Sequence, residues 1–266
     1  MIEWYVAYLA LGAFVGFFAG LFGIGGGLVM VPVLTWLFEA QHLSSTQNIH
    51  LALGTSMSAI IYTAAASAHA HQRHGTVNLS IVRHMTPGLL LGTLLGALSA
   101  SYISPLYLTI FFAVFVYLSA IQMLFEFKPK PSRKLPARFG MGVIAMGIGG
   151  ISSLASIGGG VLSVPFMLMH NVPIKQAIGT SAALGLPIAL GGTTGYVVTG
   201  LMLHTLPSGT LGFVYLPALL MLAAGSLFTA SLGAQATQRL PLSILRKGFA
   251  LLLLVLATKM LLKALI

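Results

Sequence analysis

Two glycine clusters are the part of this sequence best suited to chemistry: Gly23-Ile24-Gly25-Gly26-Gly27 followed by Pro32, and Ser156-Ile157-Gly158-Gly159-Gly160 followed by Pro165. Each interrupts apolar sequence, between a long apolar stretch and a short one. Every glycine in a triplet costs a helix about 1 kcal/mol relative to alanine, so a helix is expected to break there. Unwound backbone in lipid leaves polar groups unsatisfied, and such a break survives only where it faces protein or water. There the half-helix starting near Leu28 or Val161 presents free N–H groups and the positive end of its dipole, a natural anion site. Two such ends facing one central cavity would hold an anion from both sides. The competing reading is that glycines let helices pack closely, and this is the better account of Gly12, Gly16 and Gly20, spaced four apart.

Hydroxyls stand near these clusters in the chain. Thr55-Ser56 and Thr180-Ser181 each follow a glycine inside an apolar stretch and could ligate an oxyanion without a full charge. The alternative is that they bond their own helix or a neighbour, as serine and threonine in membrane helices commonly do. Ser152, Ser153 and Ser156 are weaker candidates. Lys175, Arg73 and Arg83 lie near segment ends, where bases anchor the chain at the interface by snorkelling. His69, His71 and His74 crowd the end of one span, and histidines two apart do not share a helix face, so no metal site is expected. Histidines there could titrate near neutral pH, but a solvated loop end is the simpler expectation.

Other chemistry lacks its parts. The sequence has no cysteine, no His-Glu-x-x-His, no Gly-x-Ser-x-Gly, no phosphate-binding loop and no aspartate at all. No enzyme and no cofactor is implied.

The elements that must position these residues follow from composition. Of 266 residues, 57% are apolar and 6% charged, mean hydropathy is +0.98, and a soluble domain carries about 25% charged residues. The chain therefore reads as an all-α polytopic membrane protein, with the lipid bilayer as its first partner. Apolar stretches run at 4 to 22, 28 to 38, 49 to 70, 86 to 103, 106 to 127, 139 to 155, 160 to 170, 174 to 199, 211 to 234 and 242 to 265. Those at 28 to 38 and 160 to 170 are too short to cross a core of about 30 Å and read as halves of broken or re-entrant helices, which leaves about eight hydrophobic segments. The first stretch has no basic run before it, as a signal peptide would, and reads as retained.

The two glycine clusters also align with each other at an offset of 133, half of the chain's 266 residues. Ala52-Leu53-Gly54-Thr55-Ser56 matches Ala177-Ile178-Gly179-Thr180-Ser181, and Pro87 and Pro105 have counterparts in Pro217 and Pro241. The chain divides into a first membrane repeat, 1–127, a basic linker, 128–138, and a second repeat, 139–266, each of four segments. Thirteen Lys and Arg against Glu3, Glu39 and Glu126 give a net charge of +10. The bases fall between apolar runs rather than along a groove, so they report topology and not nucleic acid. Five of them put the linker in the cytoplasm, where it can also touch anionic lipid. If both broken segments turn back, eleven bases lie inside and only Lys259 and Lys263 outside; if both cross, four lie outside. Charge thus favours inverted repeats, the arrangement common among secondary transporters.

The duplicated Gly-x-Gly-Gly-Gly-x-x-x-x-Pro elements at 23 to 32 and, with Ser156 for the first glycine, at 156 to 165 are each followed by Gly-Thr-Ser, at 54 to 56 and 179 to 181. In this the chain resembles the TauE/SafE sulfite exporter family, over nearly its whole length. The resemblance implies a prokaryotic inner-membrane carrier of small anions such as sulfite, sulfoacetate, thiosulfate or related organosulfonates and carboxylates. Carried over by position, Gly25, Gly26, Gly27, Gly158, Gly159, Gly160, Thr55, Ser56, Thr180 and Ser181 would line the substrate site. The expected mechanism is alternating access between the two repeats; an anion channel and a non-transporting membrane scaffold are the alternatives.

Overall fold

The protein is described here by a computed structural model covering residues 2–43, 47–125, 135–203, 206–237 and 242–265. Ten helices follow in order: α1 (Ile2–Phe22), α2 (Gly27–Ala40), α3 (Asn48–Arg73), α4 (Leu79–Ala100), α5 (Pro105–Leu124), α6 (Arg138–Leu154), α7 (Gly160–Met169), α8 (Ile174–Leu201), α9 (Leu216–Ala236) and α10 (Leu242–Leu265). A hairpin of two-residue strands, β1 (Thr210–Leu211) and β2 (Val214–Tyr215), precedes α9. Among the described residues, six helices (α1, α3, α4, α5, α8 and α9) are long and apolar enough to cross a membrane. The chain is a multi-pass membrane protein.

Helix boundaries follow the apolar stretches closely, with two departures. Helix α4 begins at Leu79, two turns before its apolar run, because the Asn78 side chain accepts from the amides of Ser80 and Ile81 at 3.1 and 3.3 Å and caps it. Arg83 and His84 interrupt the hydropathy there without interrupting the helix. The stretch from 211 includes the hairpin, which turns at Gly212 with φ +56°; hydropathy does not distinguish strand from helix over so few residues. Of the linker, residues 128–134 lie outside the described residues, and 135–137 lead into α6.

Packing pairs distant helices. Helix α1 lies parallel to α9: a Cβ on Gly12, Gly16 or Gly20 would come within 2.0–2.5 Å of α9 atoms around Leu222, Thr229 and Ala230. Their spacing of four is indeed a packing face. Helix α4 lies parallel to α6 through Gly88, Gly92 and Gly96, where a Cβ would fall 2.0–2.2 Å from Gly142, Met146 and Ser153 atoms. Small residues bring such helices to backbone contact and gain dispersion where lipid gives no hydrophobic drive. At the centre α3 and α8 cross antiparallel, Met57 on Gly192 and Ala64 on Gly185. Helix α2 folds back along α1, so that Phe38 meets the Tyr8 ring with centroids 6.3 Å apart and the Gln41 amide donates to the Tyr8 hydroxyl.

Candidate functional site

Both glycine clusters break their helices. Helix α1 stops at Phe22, and the chain turns through Gly23, Gly25 and Gly26 with φ of +69°, +80° and +85° before α2 begins at Gly27. These are left-handed conformations in which only glycine sits without strain. The second break lies between Leu154 and Gly160. It keeps the same left-handed turn at Ser156, φ +43°, despite the missing glycine.

The breaks do not face each other across a central cavity, as expected from the sequence; they touch. A Cβ on Gly25 would lie 2.6 Å from the Gly158 Cα, one on Gly27 1.6 Å from the Ser156 carbonyl oxygen, and one on Gly160 2.4 Å from the Gly23 carbonyl oxygen. Helices α2 and α7 therefore start from one shared centre. Their first turns bond back at Met30 N–H to Gly26 O, 3.2 Å, and Ser163 N–H to Gly159 O, 2.7 Å. Val29 N–H also reaches Gly26 O, at 3.2 Å; the other amides of these first turns have no carbonyl within their own helix to meet. Beside the first break is a cavity of about 10 Å³ touched by Gly23, Gly25, Thr63 and Ser67, room for about one water.

The duplicated Thr-Ser pairs divide by role. The Tyr215 amide donates to Thr55 Oγ1, and the Asn78 amide to Thr180 Oγ1, each at 2.9 Å. Tyr215 and Asn78 are the residues that cap α9 and α4, so each threonine holds the start of a helix belonging to the other half of the chain. Ser181 donates to the Ile178 carbonyl at 2.9 Å and lies 3.4 Å from that of Gly23. The matching carbonyl for Ser56 would be that of Leu53, but Ser156 already donates to it at 2.9 Å. Ser56 Oγ is consequently buried without a partner, as are Ser67 Oγ and, in the first turn of α7, Ser163 Oγ.

The profile of the family described as "Sulfite exporter TauE/SafE" matches residues 8–260. The chain belongs to the TauE/SafE family. A probable membrane transporter protein of Haemophilus influenzae is 38% identical over 264 residues, covering 99% of this chain and all of the relative. The probable membrane transporter protein YdhB of Bacillus subtilis is 28% identical over 243 residues, 89% and 91% of the two chains. A relative from Methanocaldococcus jannaschii of the same description is 26% identical over 239 residues, 87% and 86%. No solved structure matches the chain. This TauE/SafE protein is a membrane transporter.

One histidine of the transporter departs from expectation. His71 is not at a solvated loop end: it is fully buried, while His69 and His74 are exposed. Two apart on a helix, His69 and His71 point to different faces. His71 Nε2 donates to the Gly20 carbonyl at 3.1 Å, and Nδ1 lies 3.2 Å from Thr76 Oγ1. Tyr196 does the same in the second half, its hydroxyl donating to the Ser153 carbonyl at 3.0 Å. Gly20 and Ser153 each stand three residues before Gly23 and Ser156, and His71 and Tyr196 each stand 17 residues after Gly54 and Gly179. These donors satisfy the last carbonyls of α1 and α6, where the helices end inside the protein. The signal was in the repeat alignment, hidden because the two residue types differ. Lys175, Arg73 and Arg83 are exposed.

Proposed function

We propose that the transporter moves a small anion, such as sulfite, an organosulfonate or a related carboxylate, across a prokaryotic inner membrane. The halves 1–127 and 139–266 act as inverted repeats of four membrane units, each broken helix counting as one. They rock about the cytoplasmic linker 128–138 in alternating access. The observation that carries this reading is the crossing of the two breaks at Gly25 and Gly158, from which α2 and α7 start with their N-termini. The antiparallel crossing of α3 and α8, which match each other in sequence, supports the inversion.

The anion is bound by the amides of Gly25, Gly26 and Gly27 and of Gly158, Gly159 and Gly160, together with the unpaired Ser56 hydroxyl. Thr55, Thr180 and Ser181 border the site and hold its frame through the bonds they already make. A sulfite ion has four non-hydrogen atoms, and about 10 Å³ beside the first break is too small for it. Space opens only as the halves separate, which is the motion alternating access requires.

The test is flux. Protein purified and reconstituted in vesicles is expected to take up or release labelled sulfite or an organosulfonate at carrier rates, and Gly26→Leu is expected to abolish flux. Absence of flux for every anion, or conductance at channel rates in electrical recording, would overturn the reading. Ser56→Ala is expected to raise KM several-fold while leaving the folded protein as stable as before.

A further inference from the structure

The two halves of the chain differ where α3 crosses α8. Ile60 stands level with the crossing of the breaks, its Cγ2 3.3 Å from a Cβ placed on Gly25. Towards the face at which α3 ends and α8 begins lies the cavity of about 10 Å³, lined by Gly23 and Gly25, by Thr63 and Ser67 of α3, and by Ala182 and Gly185 of α8. Ser58 and Thr63 donate back to carbonyls of their own helix, to Gly54 at 2.9 Å and Ile60 at 3.1 Å, as hydroxyls in membrane helices do. Ser67 does not. It is 2% exposed, its Oγ has no partner, and it lines the cavity. A buried hydroxyl left without a partner is costly, and alanine, which stands beside it at 64 and 182, would pack there without that cost.

The alignment that matches Gly54 with Gly179 carries these positions to the far side of the crossing. Ser67 falls on Gly192, Thr63 on Ile188, Ala182 on Met57 and Gly185 on Ile60. Met57 packs onto Gly192, its Cε and Cγ each 2.8 Å from a Cβ placed there, and Met57, Ile60 and Ile188 are fully buried. The hollow, hydroxylated place on one side is thus filled by sulfur and hydrocarbon on the other.

We propose that Ser67 is a further ligand of the transported oxyanion, on a half-path that leaves the crossing between α3 and α8 towards the end of α3, while Met57 on Gly192 closes the opposite half. This rests on the transport reading given above. Ser67 lies seven residues beyond Ile60, about 10 Å along the helix, so an anion leaving the amides of the breaks meets its hydroxyl next. A hydroxyl donates to an oxyanion oxygen without the deep well of a full charge, and a site on a path must release what it binds. With the breaks in contact the hollow holds about one water; the motion that parts them widens it.

The chain has no cysteine, so single cysteines in the full chain report access. Ser67→Cys and Met57→Cys are reconstituted in vesicles, with Lys175→Cys at the exposed start of α8 and Tyr102→Cys at the α4–α5 turn marking the two faces. An impermeant thiol reagent carrying a sulfonate group is expected to modify Ser67→Cys from the Lys175 face alone, and at least tenfold faster than Met57→Cys from that face. Ethanesulfonate or propanoate is expected to slow the modification at least fivefold. In flux assays with the same two probes Ser67→Ala is expected to raise KM about fivefold with melting unchanged, and Ser67→Thr to recover part of the loss. A hydroxyl that only holds a water predicts altered melting with wild-type KM, and that result would overturn the proposal. So would Ser67→Cys left unmodified, modified from the Tyr102 face, or unprotected by either probe. Vesicles that carry no anion while Ser67→Cys is modified and protected as stated would count against the transport reading and not against Ser67 as an anion ligand.

Discussion

Gly25 and Gly158 meet backbone to backbone: a Cβ on either would come within 2.7 Å of the other's main chain. No side chain intervenes where the two halves of the chain cross, so the contact has no rotamer with which to absorb a change.

Substitution at this crossing is therefore expected to be severe. Gly25→Ala combines a left-handed backbone, φ +80°, with a 2.6 Å approach to the Gly158 Cα. Strain of about 1–2 kcal/mol and overpacking of about 1–3 kcal/mol both oppose it. Gly142→Ala, where an added Cβ meets nothing within 4 Å, serves as control and is expected to be neutral or slightly stabilising. Thermal unfolding of both variants in detergent measures the difference.

Ser56 and Ser156 compete for one carbonyl, and a double-mutant cycle should register it. Ser156→Gly relieves a left-handed serine but loses the 2.9 Å bond to Leu53 O; the net change is expected to stay within about 1 kcal/mol. In the wild type Ser56→Ala is expected to be neutral, because its hydroxyl has no partner. In the Ser156→Gly background Ser56 can bond Leu53 as Ser181 bonds Ile178, and Ser56→Ala then costs about 1 kcal/mol. Equal effects in both backgrounds would refute the competition.

Thr55 and Thr180 should behave as a matched pair. Valine at either keeps the shape and leaves the Tyr215 or Asn78 amide without its acceptor, at a cost of about 1–2 kcal/mol each. Serine at either is expected to restore most of the stability. A variant pair that alters anion affinity and not melting would instead make these hydroxyls ligands.

His71 and Tyr196 stand at matched positions as donors to helix-terminal carbonyls. Tyr196→Phe leaves the buried Ser153 carbonyl with only the Ser156 amide, at 3.2 Å, and His71→Phe takes the side-chain donor from the Gly20 carbonyl. Each is expected to destabilise by about 1–3 kcal/mol. His71→Gln, which keeps an N–H of similar reach, is expected to recover part of the loss.

The sequence by itself determined the class of molecule, the places where the helices break and nearly all helix positions. Burial in lipid requires long apolar runs with satisfied backbones, and glycine triplets are legible exceptions. It also carried the family, through Gly-x-Gly-Gly-Gly and Gly-Thr-Ser elements that a composition alone does not hold. Only the tertiary structure decided what those elements touch. That the breaks press on each other, that Thr55 and Thr180 hold helix starts across the two halves, and that Ser156 takes the bond left open to Ser56 are contacts between residues about a hundred or more apart. Local propensity acts over a few residues and carries no information about such distances. Which of two competing hydroxyls wins a carbonyl depends on where two backbones cross, to within a few tenths of an ångström.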